Sequence, residues 1–96
     1  MSLQFEWDKI KAHSNKVKHD IEFEEAKTVF YDYFARVFDD ILHSVVEQRF
    51  IMIGYSNKNR LLIVSYSERN DRIRIISARK VTKNERKLYE EFYKKK

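Results

Sequence analysis

Three strand-like segments follow one another in the second half of this 96-residue chain, and they constrain its fold more than any other feature. They cover residues 49–55, 61–66 and 72–78, and each is rich in branched aliphatic or aromatic residues. Short polar turns at residues 56–59 and 68–71 separate them. Segments joined by such short turns pair with their neighbours in sequence, so the pattern predicts an antiparallel meander.

The first half of the chain has a helical pattern instead. A short strand is predicted at residues 3–6, and Trp7 is predicted to enter the core. Asp8 is a suitable N-cap for a helix that runs to about residue 18. The positions that mark this helix at i, i+4 and i+7 are Ile10, Ser14 and Val17.

A second helix is predicted after a corner at residues 18–20, although Glu22 is a poor N-cap. The apolar stripe that would face the sheet consists of Phe23, Ala26, Phe30 and Phe34. A weak strand is predicted at residues 36–38. The last helix opens with a capping box from Thr82 to Glu85 and continues through Leu88 and Phe92 to three terminal lysines.

These elements predict an α+β fold within a single domain spanning residues 1–96. Two N-terminal helices would pack on a twisted antiparallel sheet of three to five strands, and one helix would follow at the C-terminus. The chain has no cysteine, and its longest apolar run, residues 50–55, is far too short to cross a membrane. We therefore expect a cytoplasmic protein without a membrane partner.

Basic residues are concentrated in one half of the chain. Residues 1–47 hold six Lys or Arg against ten Asp or Glu, whereas residues 48–96 hold fourteen against five. A basic half suits a polyanion, because phosphate neutralisation provides most sequence-independent affinity for nucleic acids. The arginines lie mostly in strand-like segments, where solubility alone rarely requires them.

The residue types available for chemistry are few. The three histidines, His13, His19 and His43, do not have the spacing of a metal site, so no metal or other cofactor is expected.

A cluster of cations falls on one hairpin and the residues that follow it: Arg69, Arg72, Arg74, Arg79 and Lys80. Two interpretations of that cluster remain open: a clamp for phosphates, or a solvated sheet face paired with Glu68 and Asp71.

Two further ambiguities concern single positions. Arg79 has the opposite strand parity from Arg74, so either the strand ends before it or the Ile75–Ile76 pair forms a bulge. Lys18 and His19 could bind a phosphate and exchange a proton, but a histidine at a helix end also serves as a cap or packing residue.

The chain resembles the BrnT family of bacterial toxins along nearly its whole length. The residues that carry the resemblance are Phe5-Glu6-Trp7-Asp8, Lys9, Asn15, Lys18-His19, Phe23-Glu24-Glu25-Ala26, Glu47-Gln48-Arg49-Phe50, Ile53-Gly54, Arg60-Leu61-Leu62-Ile63-Val64, Glu68-Arg69-Asn70-Asp71, Ile73-Arg74-Ile75-Ile76-Ser77-Ala78-Arg79 and Thr82, Glu85-Arg86, Tyr89-Glu90. Asp20 stands where the family has glycine after Lys-His, which would strain that corner if it needs a positive φ. Asn70 replaces another family glycine and tolerates a left-handed turn well.

The resemblance implies a RelE-like ribonuclease fold and the toxin half of a type II toxin-antitoxin pair. Such toxins cleave RNA without a metal, the ribose 2′-hydroxyl attacking the adjacent phosphate, and thereby inhibit translation. A BrnA-like ribbon-helix-helix antitoxin would neutralise the toxin, and operator DNA would be bound only through the toxin-antitoxin complex.

The residues that the resemblance marks for function fall into two groups. The expected catalytic residues are Lys18, His19, Glu68, Arg69 and Arg79, with Glu68 or His19 as the base. The expected RNA-binding residues are Arg49, Arg60, Arg74 and Lys80. The alternative is a module that binds nucleic acid or blocks translation without cleaving RNA. Binding of DNA by this chain alone is less favoured, because no helix concentrates the Arg, Asn and Gln that read a major groove.

Overall fold

The computed structural model describes residues 3–94, with side chains as far as Glu91, and within these bounds the chain forms five strands and three α-helices. The strands are β1 (Phe5–Glu6), β2 (Arg36–Asp39), β3 (Arg49–Tyr55), β4 (Leu61–Arg69) and β5 (Arg72–Lys80). The helices are α1 (Lys9–His19), α2 (Phe23–Ala26) and α3 (Lys83–Lys94). The predicted α+β class is confirmed.

The strands form one sheet in the order β1-β5-β4-β3-β2. The meander of β3, β4 and β5 is antiparallel as predicted, and β2 extends it in the same sense. The expectation of a purely antiparallel sheet was wrong, because β1 pairs parallel to β5, with Phe5 opposite Ile73. A parallel neighbour requires a long crossover, and the whole chain between β1 and β5 supplies it.

A bulge sets the register of β5. Ser65 pairs with Ser77 and Tyr66 pairs with Ile75, so Ile76 is the extra residue. Of the two alternatives for this strand, the bulge is correct, and β5 continues to Lys80 instead of ending at residue 78. The bulge returns Arg79 to the sheet face that carries Arg74, because the residues opposite them, Ile63 and Ser67, have the same parity on β4.

Helix α1 packs on one sheet face through different residues from those that its sequence pattern suggested. Asp8 caps it as predicted, its carboxylate accepting from the backbone N–H groups of Ile10 (2.7 Å) and Lys11. However, Ile10 and Val17 are 81% and 73% exposed, and the inward side carries Ala12 and the buried Asn15. The short stripe of apolar residues on this helix therefore does not mark its buried face.

The second helix is shorter than predicted. After α2 the chain tightens into a 3₁₀ helix over Lys27–Tyr31 and then leaves the helical conformation. Asp32 ends it, since its carboxylate accepts from the backbone N–H of Phe34 at 3.0 Å. Phe34 consequently leaves the predicted stripe and packs on the other sheet face, whereas Phe23 and Ala26 stay in the main core.

Three of the corners adopt left-handed backbone conformations, at Asp20, at Asn59 and at the Asn70–Asp71 turn. Asp20 has φ 58° at the C-terminus of α1, so the corner does require the conformation that glycine adopts most easily. Asn70 and Asp71, with φ 48° and 69°, form the two-residue turn between β4 and β5. Two successive positive φ values are typical of the type I′ turns that match the twist of a hairpin.

Helix α3 covers part of the second sheet face. Its capping box forms as predicted, with Glu85 accepting from the Thr82 N–H at 2.8 Å and Thr82 Oγ1 accepting from the Glu85 N–H. The buried contact to Ile53 and Leu61 comes from Tyr89, while Leu88 is 45% exposed, contrary to expectation. The Phe92 side chain and the last two lysines, Lys95 and Lys96, lie outside the described part of the chain.

Candidate active site

The nine predicted site residues divide between two ends of the sheet. One group, Glu68 and Arg69 with Arg49 and Arg74, lies near the β4–β5 turn. The other group, Lys18, His19, Arg60, Arg79 and Lys80, lies at the opposite end of β5. Arg69 is opposite Arg72, seven residues along β5 from Arg79, which is roughly 20 Å for an extended strand. One phosphate cannot contact both groups.

A cavity of about 430 Å³ lies at the second end, and we call it the basic pocket. It is lined by Tyr55, Asn59, Arg60, Leu61, Lys80, Val81 and Arg86. Three of these residues carry positive charge, and no described carboxylate lines the pocket. Such a lining attracts an anion, with Arg suited to bidentate contact with phosphate oxygens and Lys acting as a point charge.

The turn between β3 and β4 brings Asn59 and Arg60 to this pocket. The backbone N–H of Ser56 donates to the Arg60 carbonyl at 2.9 Å, and the Asn59 N–H donates to the Ser56 carbonyl at the same distance. Asn59 adopts φ 60°, which asparagine tolerates better than most residues. The predicted turn at residues 56–59 therefore has a direct role in forming the pocket.

Arg60 is held by a buried carboxylate behind the pocket. Its Nε donates to Glu25 at 2.9 Å, and its Nη2 donates to the other Glu25 oxygen. Ser56 Oγ donates to the same carboxylate at 2.6 Å. These contacts, the Arg60 guanidinium first, lower the pKa of Glu25 although burial opposes the shift, so this carboxylate stays charged.

The α1 corner borders the pocket through its backbone. Arg60 Nη2 lies 3.4 Å from the carbonyl oxygen of Asp20, the residue that follows His19. His19 is half-buried and Lys18 is exposed, and neither lines the basic pocket. The sequence-predicted pair therefore lies next to the cationic lining rather than within it.

The wall of the pocket made by β3 and α3 depends on Asp32. Its Oδ2 accepts from the backbone N–H of Tyr55 and from the Tyr89 hydroxyl, each at 2.7 Å. The Tyr55 and Tyr89 rings meet edge to face with centroids 5.5 Å apart. Arg86 Nη1 in turn donates to the Tyr55 hydroxyl at 3.3 Å, which holds this cation at the pocket edge.

Arg79 is next to the pocket but is already paired. Its two terminal nitrogens donate to the two Glu85 oxygens at 2.9 and 2.8 Å, and Nη1 also reaches the carbonyl of Lys80. This fork joins the end of β5 to the first turn of α3. The Arg79 guanidinium lowers the pKa of Glu85 to about 2, with further help from Thr82 of the capping box.

The Glu85 contacts predict an acid-dependent stability. A carboxyl whose pKa is lower in the folded state stabilises the protein above its unfolded pKa, and this contribution is lost as pH falls from about 4.5 toward 2. We expect Glu85→Gln to reduce the free energy of unfolding by about 2 kcal/mol at pH 7, allowing for screening at the half-exposed Arg79. Urea titrations from pH 7 to 2 should show this difference shrinking below pH 4.5, whereas a constant difference would contradict the assignment.

At the hairpin end, the arginines also have acidic partners. Arg69 pairs with Glu47, and Arg74 Nη1 donates to Glu6 at 3.1 Å. Glu68 is exposed and contributes to a cavity of about 280 Å³ that Asp71 also lines. The positive charge there is largely balanced, so this end offers a weaker site for a polyanion than the basic pocket.

Several residues of the site were missed from the sequence. Arg86 and Tyr55 line the pocket, and Glu25 and Asp32 hold its walls. Glu25 and Arg86 appear only within matched stretches of the resemblance, and nothing in the local pattern distinguishes them from surface charges.

Among the described residues no group of three or more His, Cys, Asp or Glu could hold a metal ion. No helix of the described chain is long and apolar enough to span a membrane.

Comparison with known proteins connects this arrangement to a family. The family profile described as the ribonuclease toxin BrnT of type II toxin-antitoxin systems matches residues 7–85. The chain belongs to the BrnT family. The members of this family are ribonuclease toxins of type II toxin-antitoxin systems, and this chain is one of them. Membership implies an antitoxin partner and an RNA substrate.

A solved structure supports the family fold. The ribonuclease toxin BrnT of Brucella abortus superposes with a TM-score of 0.65 at 21% sequence identity, over 85% of this chain and the whole of that chain. At this identity the likeness concerns the fold. A search of curated proteins finds no significant match.

Proposed function

We propose that this BrnT-family toxin cleaves RNA at the basic pocket without a metal ion. The observation that carries the proposal is a cavity lined by Arg60, Lys80 and Arg86, and by no described carboxylate, beside the Lys18–His19 corner. These three cations supply positive charge that stabilises a phosphorane-like transition state, and it remains net positive although Glu25 offsets the charge of Arg60. The fold is proposed to be RelE-like.

The proposed chemistry is an internal transesterification, in which the phosphate changes its bond from the 5′-oxygen to the neighbouring 2′-oxygen. A base removes the proton of the ribose 2′-hydroxyl, whose oxygen attacks the neighbouring phosphorus. The bond to the 5′-oxygen breaks, and that oxygen takes a proton as it leaves, giving a 2′,3′-cyclic phosphate and a free 5′-hydroxyl. His19 is favoured over Glu68 as the base, because Glu68 is at the distant end of the sheet.

The other residues have supporting roles in this proposal. Lys18 attracts the RNA backbone toward the corner, and Arg79 holds the first turn of α3 in place through Glu85. Arg49, Arg69 and Arg74 lie too far from the pocket to contact the reacting phosphate, so we assign to them at most contacts with RNA further along the strand.

In the cell, we propose that RNA cleavage inhibits translation in the cytoplasm until a cognate antitoxin binds. The proposed antitoxin is a BrnA-like ribbon-helix-helix protein, and the complex of the two proteins would bind operator DNA. A segment that neutralises this toxin by covering the basic pocket should be acidic, since complementary charge guides such pairs together.

A second candidate function is RNA binding without cleavage. It is favoured by one observation, that neither His19 nor Glu68 lines the basic pocket. This candidate predicts salt-sensitive RNA binding and no product.

An assay with EDTA present separates these functions. The purified toxin should convert RNA into fragments with 2′,3′-cyclic phosphate and 5′-hydroxyl ends, and should leave DNA of the same sequence intact. His19→Gln should lower the rate about 100-fold, the usual contribution of a general base. His13→Gln, a substitution on the same helix outside the pocket, is the control and should cleave at the wild-type rate. Intact RNA with the wild-type toxin would contradict the proposed chemistry, and full activity of His19→Gln would contradict the choice of base.

A further inference from the structure

The Arg60 guanidinium is bound along one side only. Nε and Nη2 donate to the two Glu25 oxygens, and Nη2 also reaches the Asp20 carbonyl. Among the described residues no hydrogen bond uses Nη1. An arginine carries five N–H donors in a rigid fork, so fixing one side of the fork also fixes the direction of the other.

Glu25 is itself held in place. Its side chain is 3% exposed, and Ser56 Oγ donates to Oε2 at 2.6 Å. Ser56 Oγ also accepts from the backbone N–H groups of Lys58 and Arg60, at 3.2 and 3.4 Å. The carboxylate is thus fixed to the same turn that brings Arg60 to the pocket.

Stability alone does not account for this arrangement. Removing the Glu25 carboxylate from water is costly, and an ion pair with a buried member is commonly no more stabilising than apolar residues of similar size. A long flexible arginine at the surface would neutralise an RNA phosphate equally well. A buried carboxylate behind the arginine fixes the orientation of the guanidinium, although it also reduces the net positive charge.

We propose that Glu25 is a positioning residue for RNA cleavage, holding Arg60 so that Nη1 points at the phosphate in the basic pocket. This inference rests on the proposed function of that pocket. Glu25 contacts Arg60 and not the substrate, so it acts on the reaction only through the guanidinium.

The role has a kinetic signature that a purely structural role lacks. Glu25→Gln removes a negative charge beside a cationic pocket, so RNA should bind more tightly. The freed guanidinium no longer points at the reacting phosphate, so the chemical step should slow. We therefore expect kcat to fall about tenfold while KM decreases. A variant that merely loses folded protein would lose activity without any gain in affinity.

The experiment is a double-mutant cycle on purified protein with RNA as substrate. It compares Glu25→Gln, Arg60→Ala and their combination, with affinity measured separately on 2′-O-methyl RNA. The expected result is that Glu25→Gln has no further effect on kcat once Arg60 is absent. Glu24→Gln is the matched control, because Glu24 is an exposed neighbour paired only with Lys27 in the described structure.

The outcomes separate the proposed function of the pocket from the positioning role of Glu25. Full activity of Arg60→Ala, or no cleavage by the wild type, would overturn the proposed function and this inference with it. A tenfold or larger loss in Arg60→Ala together with Glu25→Gln behaving like Glu24→Gln would overturn the inference alone. If Glu25→Gln does not fold, Ser56→Ala replaces it, since it removes the hydroxyl that holds Glu25. A wild-type kcat in that variant would equally overturn the positioning role.

Discussion

Replacing Lys80 and Arg86 together with alanine should lower the rate of RNA cleavage about 100-fold or more. Both side chains line the basic pocket, and both residues are exposed. Removing a single donor from a site that stabilises developing negative charge already costs on the order of 100-fold in rate. Loss of two cations also weakens binding of the RNA backbone, which would appear as a shallower dependence of affinity on salt.

A matched pair of substitutions controls for the change in net charge. Lys11→Ala with Arg72→Ala also removes two cations, from the exposed side of α1 and from the far end of β5. This double variant should cleave RNA within about twofold of the wild-type rate. Arg69→Ala adds a test of location, since a loss there as large as in the pocket variant would place the reaction at the hairpin end.

Asn15→Ala should produce the largest loss of stability that we expect from a single polar side chain. Asn15 is 6% exposed, and its amide donates to the carbonyls of Ile21 (3.0 Å) and Ala78 (2.8 Å). Its oxygen accepts from the Ala78 N–H at 3.0 Å. The side chain therefore pairs with β5 as another strand would, beyond the point where β1 ends.

Alanine at this position would leave three buried backbone groups without partners. Each such group costs about 1–3 kcal/mol, so we expect a loss of about 4 kcal/mol. That is a large part of the 5–15 kcal/mol typical of a domain's free energy of unfolding. Urea denaturation at pH 7 measures it, with the exposed neighbour Ser14→Ala as control. A loss below about 1 kcal/mol relative to Ser14→Ala would contradict the role assigned to this amide.

Local chemistry made part of the fold predictable. The turn at residues 68–71, the Asp8 cap and the capping box at Thr82 each depend on side chains within a few positions of one another. The parallel strand β1 and the buried side of α1 were not predictable in this way. They depend on where distant segments meet, as when Asn15 reaches Ala78, 63 positions further along the chain.

The site shows the same division. Residue type and the family resemblance selected Lys18, His19, Arg60 and Lys80, which the fold brings to one end of the sheet. The same criteria selected Glu68 and Arg69, which lie roughly 20 Å away at the other end of the sheet. Residue type does not show at which end of a strand a side chain lies. Acidic partners such as Glu25 were invisible for another reason. A carboxylate that is buried against an arginine and one that is exposed to solvent look alike in a sequence.

NMR titration with a short 2′-O-methyl RNA tests the claim that RNA binds at the basic pocket, and it does not require cleavage. Backbone amide signals of residues 18–20, 55–61 and 80–86 should shift as the RNA is added, and the shifts should diminish in the Lys80→Ala/Arg86→Ala variant. Shifts confined to residues 47–49 and 67–74, with the pocket signals unchanged, would contradict the claim and place the RNA at the hairpin end.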